Sequence, residues 1–215
     1  MLDGDANSRA QGSDAGSTAL VLVGYQNEFF ARTGALRDAF EDTGTADAAL
    51  AATVDLISAT SQTPLTIVSV PICFSEDYHE LADPVGVLAR IQAVRAFQAG
   101  SPGAGICEEL LRFGDRVEEV AGRHGFSAFG STGLQGLLDA RGTRDVLVAG
   151  ALTSLCVDST VRAAVEHGFR TSVVRDCSVG RTRYEHDYFC ERLFPMYATV
   201  TDSQHIIRML AGAAA

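Results

Sequence analysis

The stretch TRDVLVAGALTSLCVDSTVRAAVEHGFRTSVVRD (143–176) decides the fold. Residues 143–150 are a short apolar run ending in glycine, 154–167 carry helical spacing and stop at Gly168, and 170–176 open a second β-branched run. Strand, helix and strand in so few residues make a βαβ unit, and a strand that is apolar throughout belongs inside a parallel sheet. The rhythm extends in both directions. TALVLVG (18–24) and PLTIVSVPI (64–72) read as buried strands, and Leu50, Val54 and Ile57 mark a helix over 47–60. Leu134, Leu137 and Leu138 mark a short helix, and MYATVTD (196–202) reads as a last, weaker strand. The expectation is an α/β protein of three layers, α/β/α, with a mostly parallel sheet and helices on both faces.

The chain has 215 residues, which fits one domain over 18–215 preceded by a polar, disordered leader, MLDGDANSRAQGSDAGS (1–17). Its net charge is −10, with no basic block, so nucleic acid is not an expected partner. No apolar run reaches the roughly 18 residues needed to span a bilayer, so no membrane partner is expected either. All 17 basic residues are arginine, which excludes Schiff-base chemistry and a lysine base. The five cysteines are scattered singly, as reduced thiols would be, and no signal peptide opens the chain, so a cytoplasmic location is expected.

Ligands of open parallel sheets sit beyond the carboxyl ends of the strands. That rule marks three addresses: Gly24 to Phe30, Cys73 to His79, and Gly150 to Cys156. With Thr153 as N-cap, Cys156 falls in the first turn of the helix after a central strand, where backbone N–H groups and the helix dipole favour a thiolate. The competing reading is a buried structural cysteine. Phe29, Phe30, Phe74, Phe126 and Phe129 fall on or beside these addresses and supply candidate pocket walls, while the polar stretch 74–105, with a short helix at 86–97, is long enough to cover a substrate. Asp77 and His79 have a metal-ligand spacing, yet no second histidine lies nearby, so neither a metal nor another cofactor is expected.

TALVLVGYQNEFF (18–30), GRHGFSAFGST (122–132) and GALTSLCVDSTVRAA (150–164), in this order, resemble the isochorismatase-like cysteine hydrolases, over about Thr18 to His205. The resemblance implies a six-stranded parallel sheet and cleavage of C–N bonds of small amides through a thioester. It implies Cys156 as nucleophile, a cis peptide between Ala151 and Leu152, and an oxyanion hole from the backbone N–H groups of Leu152 and Cys156. Gln26, Phe30, Phe74, Phe126 and Ala151 are the expected substrate-binding residues, and a homo-oligomer, dimer or tetramer, is the expected form.

Two positions depart from the family pattern. Its aspartate at the end of the first strand is Gly24 here, and its lysine four residues before the SAF motif is Arg123. Glycine cannot move a proton and arginine does not release one, so the family's proton path is absent as written. Glu28 and the group Glu76, Asp77 and His79 are replacement candidates. Glu28 also suits a loop-supporting role or an ion pair with Arg123; otherwise Arg123 binds the anionic part of a ligand. Removal of the aspartate side chain is expected to add room beside the cysteine. Three functions remain open: an atypical amide hydrolase, a non-catalytic binder of a small anionic metabolite, and a repurposed enzyme with a different reaction. A carboxylate or imidazole within reach of Cys156 favours catalysis; bare apolar wall favours the binder.

Overall fold

In a computed structural model, which describes residues 14–212, one sheet holds six strands among the described residues. They are β1 (Thr18–Val23), β2 (Thr66–Val70), β3 (Glu118–Glu119), β4 (Asp145–Ala151), β5 (Arg170–Val179) and β6 (Thr199–Thr201). Their order is β3-β2-β1-β4-β5-β6, and every pairing is parallel. All of β1 and β4 is buried, which is why both read as apolar runs without alternation.

The helices are α1 (Asn27–Phe30), α2 (Thr43–Ala59), α3 (Gly86–Ala93), α4 (Glu108–Leu111), α5 (Leu134–Ala140), α6 (Asp158–Glu166), α7 (Arg183–Tyr188) and α8 (Ser203–Gly212). Strand side chains alternate between the two faces. Leu20, Leu22, Leu147 and Ala149 pack with Leu56 and Ile57 of α2 and Ile206 of α8. Ala19, Val21, Val146 and Val148 pack with Leu138 of α5 and Val161 of α6. The sheet is therefore covered on both sides, as the sequence requires. Leu20 and Leu22 are wholly buried, so truncating either to alanine costs about 2–5 kcal/mol.

From β1 the chain builds outward to β2 and β3, then crosses to the other side of β1 for β4, β5 and β6. The strand order thus reverses between β1 and β4, where a parallel α/β sheet opens its ligand crevice. Here the two backbones also come very close. A Cβ on Gly24, at φ +73°, would stand 2.3 Å from the Ala151 carbonyl oxygen. On Gly150, at φ +147°, it would stand 1.8 Å from that of Val23. Glycine alone fits either position.

Several boundaries differ from the sequence reading. Residues 1–13 of the expected leader lie outside the described residues, but Ala15–Ser17 form a 3₁₀ turn capped by the Asp14 side chain. The helix expected over 86–97 stops at Ala93, because Arg95 and Phe97 adopt positive φ and turn the chain. The last strand keeps only Thr199–Thr201 of 196–202. The helix expected over 154–167 begins instead as a π-helical turn, Thr153–Val157, before α6.

Candidate active site

β4 hands the chain to that π-turn through the Ala151–Leu152 peptide, which is cis. Leu152, in extended conformation, is the residue that caps the turn, and its carbonyl accepts from the N–H groups of Leu155 and Val157. Thr153 is not the N-cap: its Oγ1 meets His186 Nδ1 at 2.8 Å instead. Ser154 Oγ donates to Glu185 Oε1 at 2.6 Å, so α7 grips the turn from outside. Burial, together with the Arg175 charge, holds His186 below the usual imidazole range, so a neutral ring makes this contact. His186 thus braces the turn from outside the cavity lining.

Cys156 lies in this turn, 8% exposed, and faces Arg123. The arginine follows β3 and extends the sheet edge: it bridges Ile72, and its carbonyl accepts from Cys73 N–H at 3.0 Å. Its side chain has no exposed surface. Nη2 stands 4.0 Å from Cys156 Sγ, while Nε and Nη1 have no partner. Burial lowers the proton affinity of the guanidinium and the cysteine opposes that effect, yet an arginine stays charged under such conditions. The alternative pairing with Glu28 does not form. Glu28 is spent on the backbone N–H groups of Ala35 (2.8 Å) and Phe97 (3.4 Å), fixing the loops rather than the cation.

The two residues share a small cavity that is partly open to solvent. Phe126, Phe29 and Phe97 wall it, with Val87 and Ile91 of α3 closing over it from the covering stretch. Ile72, Leu152 and Leu155 complete the lining. No carboxylate and no imidazole lines it among the described residues.

The other expected site residues lie elsewhere. Gln26 spends its amide on Ile72 O, Ile72 N and Ala104 O at 2.7 to 2.9 Å, fastening the end of β2. Phe30 stacks on Tyr25 with ring centroids 5.0 Å apart, and Phe74 packs on Tyr78 at 5.5 Å. Ala151 ends β4 with its carbonyl against Gly24, so the expected extra room beside the cysteine is already filled by backbone. Asp77 and His79 form an exposed network with Ser75, away from the cavity lining. Phe97, Val87, Ile91 and Leu155 were not singled out from the sequence. Only the length of the covering stretch pointed toward the first three.

In the other four thiols burial dominates, and at Cys190 the Arg175 charge offsets it only in part. Burial pushes Cys107 and Cys177 up to about 12 and Cys190 up to about 11, and it raises Cys73 as well.

Fold and cavity together define a parallel α/β sheet with a cysteine beside its switch point. The isochorismatase domain matches residues 18–205, and the chain belongs to that family. A maleamate amidohydrolase of Pseudomonas putida is 35% identical over 116 residues, 53% of this chain and 54% of that protein. Nicotinamidase 3 of Arabidopsis thaliana is 27% identical over 144 residues, 67% of this chain and 73% of that protein. The chain spans little more than half the length of the first curated relatives it matches. A cysteine hydrolase from Pseudomonas syringae superposes with TM-score 0.83 over 94% of this chain and 95% of that one, at 17% identity, a likeness of fold. An N-carbamoylsarcosine amidase from Thermoplasma acidophilum gives TM-score 0.69 at 27% identity, over 87% and 96%.

Proposed function

We propose that the protein is a hydrolase that cleaves an amide-type C–N bond of a small molecule, with Cys156 as the nucleophile and a thioester as the intermediate. The observation that carries the reading is the placement of Cys156 Sγ 4.0 Å from a fully buried guanidinium, in the turn that opens α6. A buried cation costs much free energy unless an anion accompanies it. Cys156 Sγ faces that cation, and a thiolate is the form of cysteine that attacks a carbonyl. Backbone N–H groups of Leu152 and Cys156 are assigned to the developing oxyanion. The names of the relatives, an amidohydrolase and a nicotinamidase, support the amide class.

An activated ester such as p-nitrophenyl acetate tests the nucleophile alone, because its leaving group needs no proton. We expect a stoichiometric burst and an acetyl group on Cys156 by mass spectrometry, both lost in Cys156→Ala. A protein that remains unacetylated at Cys156 refutes the reading. The absence of a carboxylate or imidazole from the described lining supports a second reading, a non-catalytic anion-binding cavity. That reading predicts no burst together with saturable binding of a small carboxylate.

A further inference from the structure

Resting on the reading of Cys156 as nucleophile, we propose that the substrate is an amide bearing its own carboxylate, that Arg123 holds this carboxylate beside the sulfur, and that it performs the proton transfers for which the described cavity lining offers no side chain.

Glu28, His186 and His124 are engaged elsewhere. Gly24 ends β1 at the switch point, but the Ala151 carbonyl occupies the direction in which a side chain would leave it. Glu28 accepts two backbone N–H groups. His186 is engaged by Thr153 and, at 3.6 Å, by Cys190. His124 Nδ1 meets the Cys73 carbonyl at 2.6 Å. Within the described lining the only polar side-chain groups are sulfur and guanidinium, and the guanidinium does not give up its proton.

Charge balance then selects the ligand. The cavity holds one buried cation with Nε and Nη1 unpartnered, and one cation balances one negative charge. A substrate carboxylate bound to the guanidinium supplies that charge, with the proton on sulfur. Carboxylate and sulfur then touch the same guanidinium, which brings them within hydrogen-bond reach of each other.

The reaction follows with every proton placed. The carboxylate takes the Sγ–H proton as sulfur bonds to the amide carbonyl carbon. The resulting carboxylic acid gives that proton to the nitrogen as the C–N bond breaks, and the amine leaves with a thioester behind. The carboxylate next takes a proton from water, whose oxygen adds to the thioester carbon. The C–S bond breaks, and sulfur takes the proton back. Net negative charge stays at one throughout, against one guanidinium. The substrate class is thus a compact acid monoamide, with its carboxylate a few bonds from the scissile carbonyl and an apolar body that suits Phe29, Phe97 and Phe126.

The test uses the intact protein with monoamides of four- to six-carbon dicarboxylic acids, each paired with its neutral diamide, and reads ammonia release and acylation of Cys156. The expected result is a kcat at least about 100-fold higher for an acid monoamide than for its diamide, the low end of what general acid and base groups supply. Added formate should partly restore the diamide rate. Equal kcat for the two members of each pair, with Cys156 acylated, overturns this inference and leaves the hydrolase reading standing. A preference confined to KM, without rescue by formate, overturns the proton-transfer role. If p-nitrophenyl acetate acetylates Cys156 but no monoamide does, this substrate class is wrong; if neither does, the hydrolase reading falls as well.

Discussion

Replacing Gly24 by alanine is the most direct test of how tightly β1 and β4 meet. The native φ of +73° costs a residue with a Cβ about 1–2 kcal/mol. The new Cβ would lie 2.3 Å from a backbone oxygen, about 1 Å inside ordinary contact, so the strands must part where Val23 pairs with Gly150. Overpacking of this kind costs about 1–3 kcal/mol, for a total of about 2–5 kcal/mol. In a domain of this size each kcal/mol lowers Tm by about 2–4 °C, so a fall of about 4–20 °C is expected in thermal melts followed by circular dichroism. Gly142 supplies the control: its φ is +64°, but a Cβ there has no heavy atom within 4 Å, so Gly142→Ala should show only the conformational cost. Equal losses for the two variants, or a Gly24→Ala protein melting within about 1 °C of the parent, would refute the close approach. Gly24 would then be an open position at which an aspartate could work.

Three further outcomes are expected. Iodoacetamide at neutral pH should alkylate Cys156 ahead of the other four thiols, whose protons burial holds; peptide mapping that finds Cys73 or Cys190 modified first contradicts this. Arg123→Met should leave stability unchanged or raise it by about 1–4 kcal/mol in urea unfolding, because it removes a buried charge with two unpartnered donors, while abolishing acylation of Cys156; a large loss of stability would mark Arg123 as structural. His186, held below its ordinary value in the native state, takes up a proton more readily when unfolded, so it withdraws stability as pH falls below the unfolded value of about 6.5. His79, raised by Asp77, acts in the opposite direction, so the comparison is between parent and His186→Gln: the parent should lose more stability between pH 7 and 5, and parallel curves would refute the argument.

The sheet was legible because β1, β2 and β4 are buried on both faces, and such strands write themselves as uninterrupted apolar runs. β3 was not legible. Its two residues, Glu118 and Glu119, lie at the sheet edge, where burial does not select apolar side chains. α8 escaped notice although Ile206 and Leu210 belong to the core on that face of the sheet. At the site, the position of Cys156 came from local rules about strand ends and helix starts. The fate of Arg123, Glu28 and Gln26 did not, because each is decided by partners distant in the chain. Gln26 reaches Ile72 and Ala104, and Glu28 reaches Phe97, contacts that no local pattern encodes. Thr153 failed as a cap for the same reason: His186, 33 residues on, competes for its hydroxyl.

The same long-range contacts explain why an arginine is tolerated in the protein interior. Its backbone is held by Cys73 and Ile72, so its side chain has no route to water, and the loops that Glu28 ties down bring Phe97 over it. The loop stretch from Phe74 to Gly105 does not merely cover the cavity; it removes the solvent that would otherwise screen the charge. In that setting the attraction between a guanidinium and any anion is several times stronger than in water. A cavity built this way responds to charge first and to shape second. Replacing Phe97 by alanine leaves Cys156 and Arg123 in place but lets water reach them, so it should weaken retention of a carboxylate more than it changes the accepted size of the apolar body.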